Sequence, residues 1–204
     1  MKNNRKEKLA EYLIEYKTKI DELYNQLDLN ELNNAVSEII TAVVNKKTIW
    51  FCGNGGSAAL ASHMHVDFGY FVRYFSKIRP KVRALTDCIP IITAVANDDN
   101  YDCIFTEQMQ NNFEKGDVII CISASGNSKN VINAAKYAKE LNGISIGFIG
   151  FDGGDLFKSV DIPIYTKNPK GDYGPIEDLH SILMHLIVSY LKNDSEYTNY
   201  VNKN

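Results

Sequence analysis

Cysteine is scarce and scattered in this chain: Cys52, Cys88, Cys103 and Cys121 form no CxxC pair. A disulfide framework and a cysteine zinc site are therefore not expected. Cys52 and Cys121 fall in apolar runs, where buried thiols sit. No apolar stretch approaches the ~20 residues of a membrane span. The opening MKNNRKEKLAEYL has no apolar h-region, so no signal peptide is expected. There is no basic excess either, with 22 Lys+Arg against 25 Asp+Glu and a formal net charge of −3. That speaks against a direct nucleic-acid partner. No internal repeat and no low-complexity segment is present. These absences leave a soluble protein of a reducing cytoplasm, with neither nucleic acid nor membrane among its partners. Apolar residues at 45% and charged residues at 23% of 204 positions are ordinary globular values, enough for a substantial core.

What is present falls into two textures. Residues 6–27 carry Leu9, Tyr12, Leu13, Tyr16, Ile20, Leu23 and Tyr24 at helical spacing. Asp28 or Asn30 can cap a second helix over 31–45. These two helices, residues 1–45, either cover the sheet that follows or form an oligomerisation arm. Over 46–192 short apolar runs at 48–52, 82–85, 118–123, 145–149 and 162–165 alternate with helical patterns at 58–70, 88–97, 102–113, 127–141 and 176–192. That alternation predicts βαβ units and a parallel sheet. The fold expected is α/β, a three-layer sandwich with about five parallel strands. The polar tail 193–204 is expected to fray.

Two strand ends carry one chemistry. Gly53-Asn54-Gly55-Gly56-Ser57 follows the first strand, and Ser123-Ala124-Ser125-Gly126-Asn127-Ser128 follows the third. In open parallel sheets ligands bind at the carboxyl ends of strands. Glycines let the backbone approach an anion, and serine hydroxyls and helix-terminal N–H groups donate to it. No Lys follows the glycines as in a Walker loop, and GxGxxG is not present. One such loop is as readily an ordinary turn; two at strand ends point to a phosphate site built without lysine.

His63 and Asp67 are spaced i,i+4 on the helix after the first loop, and Glu177 and His185 share a face of the last helix. A lone histidine is more often a partly buried core residue, but two histidines with two carboxylates make a credible zinc site. His180 lies three residues beyond Glu177, and His65 falls on another face from His63.

The segments GNGGSAALASHMHVDFG, AVANDDNYDCIF, GDVIICISASGNSKNVINAAKYAK, GFDGGDLFKSVDIPI and IEDLHSILMHLI together resemble the sugar isomerase domain family, and within it the phosphoheptose isomerases. The resemblance covers about 45–192. It implies a flavodoxin-like sheet, a homotetramer with active sites between subunits, and conversion of sedoheptulose 7-phosphate into an aldoheptose 7-phosphate. By motif, Ser57, Ser123, Ser125 and Ser128 would hold the phosphate, with Gly55, Gly56 and Ala124 in the same loops. Asn54, Asn97 and Asp98 would contact the sugar, as would Asp67 and Glu177. His63, Asp67, Glu177 and His185 would bind one zinc or similar divalent ion, with Asp67 and His185 also the acid–base pair. His180 matches a family histidine.

The chain departs from that pattern at the sugar end. The base is ordinarily a glutamate and is Asp67 here; the ligand matching Glu177 is ordinarily a glutamine. A family aspartate is Gly174, and a family arginine is Phe71, with Arg73 nearby. Three functions fit these residues: a phosphoheptose isomerase, an isomerase for another ketose phosphate, and a non-catalytic sugar-phosphate-binding or interaction protein of the replication-initiator-associating type. The retained histidines and carboxylates favour catalysis.

Overall fold

The computed structural model describes residues 2–70, 79–194 and 198. Its elements run α1 (Lys2–Tyr24), α2 (Leu29–Val44), β1 (Thr48–Gly53), α3 (Gly56–Gly69), β2 (Lys81–Ala84), α4 (Ile89–Asp98), a single 3₁₀ turn at Tyr101–Cys103, α5 (Thr106–Met109), β3 (Val118–Ser123), α6 (Lys129–Glu140), β4 (Ile144–Ile149), α7 (Leu156–Ser159), β5 (Ile162–Tyr165) and α8 (Tyr173–Asn193). The strands form one parallel sheet in the order β2-β1-β3-β4-β5. This is the expected three-layer α/β/α sandwich.

Strand alternation sends side chains to two separate cores. Ile49 and Phe51 of β1 join Val118, Ile120 and Ile122 of β3 on one face, against α2, α3 and α8. Trp50 and Cys52 join Ile119 and Cys121 on the other face, against α6 and the Ile104–Phe113 segment. All six residues of β3 are buried, as a central strand covered on both faces requires.

Asp28 caps α2, its carboxylate accepting from the Asn30 amide at 2.8 Å. That helix covers the sheet. α1 packs mainly on α8 and leaves Leu9, Tyr12, Leu13 and Ile14 exposed. The helix expected over 102–113 is a correction: only the 3₁₀ turn and the four residues of α5 are helical there. Phe105, Met109 and Phe113 are all buried, so their four-residue spacing reported burial. Asn111 and Asn112, good turn formers, end the helix early. The tail 195–197 and 199–204 and the departures at Phe71 and Arg73 lie outside the described residues.

One buried carboxylate ties the two central strands. Asp117, just before β3, accepts from the Thr48 amide at 2.8 Å, the Trp50 indole at 2.9 Å and the Glu114 amide at 3.0 Å. It is 1% exposed. Asp117→Ala would strand these donors, at about 1–3 kcal/mol for a buried one. We expect a net loss of about 3 kcal/mol, read as a lower urea midpoint. A loss under about 1 kcal/mol would mean that water replaces the carboxylate.

Candidate active site

The strand order changes direction between β1 and β3, the crevice where ligands bind in sheets of this order. Both glycine–serine loops open there. Asn54, Gly55, Gly56, Ser57, Ser123, Ala124, Ser125, Ser128 and Glu177 line one cavity of ≈ 290 Å³, with Ile122 and Tyr173 completing it. The N-termini of α3 and α6 both begin at this cavity. Each brings unpaired backbone N–H groups and the positive end of a helix dipole, and among the described residues no Lys or Arg lines the space.

The serines are set to donate. Ser123 Oγ accepts from the Gly126 amide at 3.1 Å, and Ser125 Oγ from the Asn127 amide at 3.2 Å. Each hydroxyl keeps its own proton for another acceptor. Ser128 stands at the N-cap of α6 without capping it, which leaves its hydroxyl to the cavity. Gly56 lets the Glu177 carboxylate lie close: a Cβ there would be 2.7 Å from Glu177 Oε2, and the carboxylate would have to shift.

A second pair of amides joins the loops. Asn54 Nδ2 donates to Asn130 Oδ1 at 2.9 Å, and Asn130 Nδ2 returns to Asn54 Oδ1 at 3.0 Å. The Tyr101 hydroxyl donates to the same Asn54 oxygen at 2.9 Å. Asn130 and Tyr101 went unnoticed in the sequence, where only their nearness to the two motifs hints at them. Asn97 and Asp98, expected at the sugar, stand exposed at the end of α4, bonded to each other at 2.8 Å, and line neither this cavity nor the next.

His63, Asp67 and His185 come together where α3 crosses α8. His63 Nε2 lies 3.6 Å from Asp67 Oδ1, and His185 Nε2 lies 3.5 Å from Asp67 Oδ2. One ligand atom from each of the three residues falls within 4.8 Å of the others. These separations exceed an ordinary N–H···O bond. They match the roughly 3.4 Å edge expected between ligands held about 2.1 Å from a tetrahedral zinc. Asp67 is buried while both histidines are about half exposed, so the group can hold a divalent cation with an open side. Among the described residues this close group holds three; Glu177, expected beside them, has its carboxylate over Gly56 and lines one cavity with His63. His65 falls outside the group, its Nδ1 2.6 Å from Asp87.

A second cavity of ≈ 250 Å³ shares Gly56, Ser57, Ile122 and Glu177 with the first and reaches His63, Asp178 and His180. His180 is 2% exposed, and among the described residues neither ring nitrogen makes a hydrogen bond of ordinary geometry. Burial pushes its pKa down to about 4, with the nearby Ile149 carbonyl opposing. Tyr16 of α1 donates to Asp178 Oδ2 at 2.6 Å. Burial, and then this carboxylate, push the Tyr16 phenol up to about 12. The Tyr16 hydroxyl would meet a Cβ at Gly174 at 2.8 Å, so it takes the space beside the position where the resemblance places an aspartate.

Comparison with known proteins agrees with this geometry. A SIS domain model matches residues 11–150. A phosphoheptose isomerase of Clostridium acetobutylicum is 34% identical over 166 residues, 81% of this chain and 83% of that protein. Phosphoheptose isomerase 2 of Campylobacter jejuni is 38% identical over 165 residues, 80% of each. The structure of phosphoheptose isomerase GmhA from Neisseria gonorrhoeae superposes with a TM-score of 0.81 at 28% identity, covering 93% of this chain and 99% of that one. With its loops at the β1–β3 crevice and its buried carboxylate between two histidines, the chain belongs to the SIS domain family, in the phosphoheptose isomerase branch.

Proposed function

We propose that this isomerase converts sedoheptulose 7-phosphate into D-glycero-D-manno-heptose 7-phosphate. The observation that carries the reading is the continuity of the site. The phosphate cavity opens into a second one that ends at His63, beside Asp67 and His185. A phosphate held by the loops leaves an extended carbon chain to run toward the acid–base group.

The reaction moves a carbonyl from C2 to C1. Asp67 accepts the C1 proton, giving a 1,2-enediol, and returns a proton to C2. His185 carries the hydroxyl proton between O1 and O2, so atoms and charge balance. His63, Asp67 and His185 would hold a divalent ion such as zinc, which when bound polarises the substrate oxygens. The Ser57, Ser123, Ser125 and Ser128 hydroxyls and the two helix N-termini hold the phosphate still, which orients the reacting carbons. The assembly proposed is a cytoplasmic homotetramer with sites at subunit contacts. Exposed Leu9, Leu13 and Ile14 on α1 and Ile182 on α8 support it, as do the half-open histidines.

A second reading keeps the mechanism and changes the ketose phosphate. Tyr16 beside Gly174 and the shorter reach of Asp67 favour it, because both reshape the sugar end and leave the phosphate end alone. One methylene is about 1.5 Å.

Sedoheptulose 7-phosphate in D₂O with zinc-loaded protein should give the aldoheptose phosphate with deuterium at C2, followed by proton NMR. Chelation should stop it, and Asp67→Asn should lower kcat about 10³-fold, within the usual range for a lost general base. No product with the heptulose but turnover of another ketose phosphate would establish the second reading. Ser125→Ala should weaken inorganic phosphate binding about fivefold while metal content stays the same; unchanged phosphate affinity would take that hydroxyl out of the site. Light scattering should return four times the 23.0 kDa chain mass, and a monomer would contradict sites shared between subunits.

A further inference from the structure

Tyr101 lies outside the lining of the loop cavity, yet its hydroxyl reaches Asn54, which is part of that lining. The sense of this hydrogen bond is fixed from the backbone. The Val131 amide can only donate, and it lies 2.9 Å from Asn130 Oδ1. That identifies the oxygen of the Asn130 side chain, so its Nδ2 is the atom facing Asn54 Oδ1 at 3.0 Å. Asn54 Nδ2 in turn faces Asn130 Oδ1 at 2.9 Å. The Tyr101 hydroxyl, 2.9 Å from the same Asn54 oxygen, therefore donates. An amide oxygen has two lone pairs. Asn130 takes one and Tyr101 the other, so Asn54 has no acceptor site left. Its second N–H bonds nothing among the described residues. Tyr101 is itself braced. Asn100 Oδ1 accepts from the Asp102 amide at 2.9 Å and closes the 3₁₀ turn, and Asn133 Nδ2 fastens that turn to α6 through the Asp102 carbonyl at 3.1 Å.

We propose that Tyr101 is a positioning residue for the phosphate: by filling the second lone pair of Asn54 Oδ1, it holds the Asn54 amide so that a bound anion meets it only as a donor. The proposal rests on the isomerase reading above for the identity of the ligand. A bare carbonyl oxygen in the wall of this cavity would repel the negatively charged phosphate oxygens. Asn130 alone occupies half of that oxygen's capacity, and the phenol occupies the rest. Tyr101 touches no reacting atom and acts through Asn54, so its influence belongs to binding and not to the proton transfers.

The test is Tyr101→Phe, which removes the hydroxyl alone from a residue that is 54% exposed, so the urea midpoint should stay in place. Calorimetric affinity for inorganic phosphate should fall about fivefold, the size of one neutral hydrogen bond. With sedoheptulose 7-phosphate, KM should rise by a similar factor while kcat stays within about twofold. In an Asn54→Ala background the same change should leave phosphate affinity as it is, because the oxygen it acts through is gone. Unchanged phosphate affinity in Tyr101→Phe would overturn the proposal and leave the isomerase reading standing. So would a loss that persists in the Asn54→Ala background. The expected phosphate results in a protein that does not turn over the heptulose would support the positioning role and remove only the substrate reading. A crystal structure of the wild type with inorganic phosphate decides without any variant. Asn54 Nδ2 within about 3.2 Å of a phosphate oxygen supports the role; a phosphate out of reach of that nitrogen refutes it.

Discussion

Everything in this site depends on the pairing of β1 with β3. The register sets Cys52 opposite Cys121 and Gly53 opposite Ile122, so the two strands end level with each other. Their loops therefore open side by side, and the helices that follow leave toward opposite faces of the sheet. A slip of one residue would turn Trp50 and Cys52 into the wrong core and pull the loops apart. Asp117 guards against that slip from the other end of the strands. It binds the first amide of β1 and the indole of Trp50 while belonging to the approach to β3.

The loop cavity gathers anion-binding features with no cation in its described lining. Two helix N-termini, each equivalent to roughly half a positive charge, converge on one small volume. Serine oxygens that accept from their own loop amides are fixed in orientation with a proton to spare. The Asn54–Asn130 pair locks one loop to the start of the other's helix. Preorganisation of this kind suits a group that must be held rather than transformed. Glu177 sets a carboxylate over Gly56 at the start of α3. The two cavity linings together run from donors at the loops to the carboxylates of Glu177 and Asp178 on α8.

Much of this was legible in the residues, for identifiable reasons. Strands β3 and β4 are covered on both faces and read as near-continuous apolar runs. The loops announce themselves because only glycine and serine meet their backbone and hydroxyl needs. His63 and Asp67 are separated by one helical turn, so sequence spacing translates directly into proximity. Asp67 and His185 could be joined only through the resemblance, because their contact depends on how α3 packs against α8. Helix 102–113 failed because Phe105, Met109 and Phe113 repeat at four residues whether the backbone between them is helical or turned. Tyr16 had no local signal, since its partner Asp178 is 162 positions away.

That long-range contact alters the meaning of the N-terminal helix. α1 is tied to the start of α8 by Tyr16 on Asp178 and by Lys19 on Asp172 at 3.2 Å. Lys17 to Asp21 and Lys19 to Glu15 are exposed pairs along α1 itself and add little. The Tyr16 bond differs because its partner Asp178 lines the second cavity, so α1 holds one residue of that wall in place from behind. Gly174 and Tyr16 are consequently coupled positions. A side chain at 174 would meet the phenol oxygen at 2.8 Å, too close for a real Cβ contact, so it could enter only if the tyrosine moved. Moving the tyrosine would release Asp178 to the cavity and add a free carboxylate beside His180. The shape of the second cavity and the exposure of a carboxylate in its wall therefore change together, through one residue on a helix that contributes nothing to the glycine–serine loops.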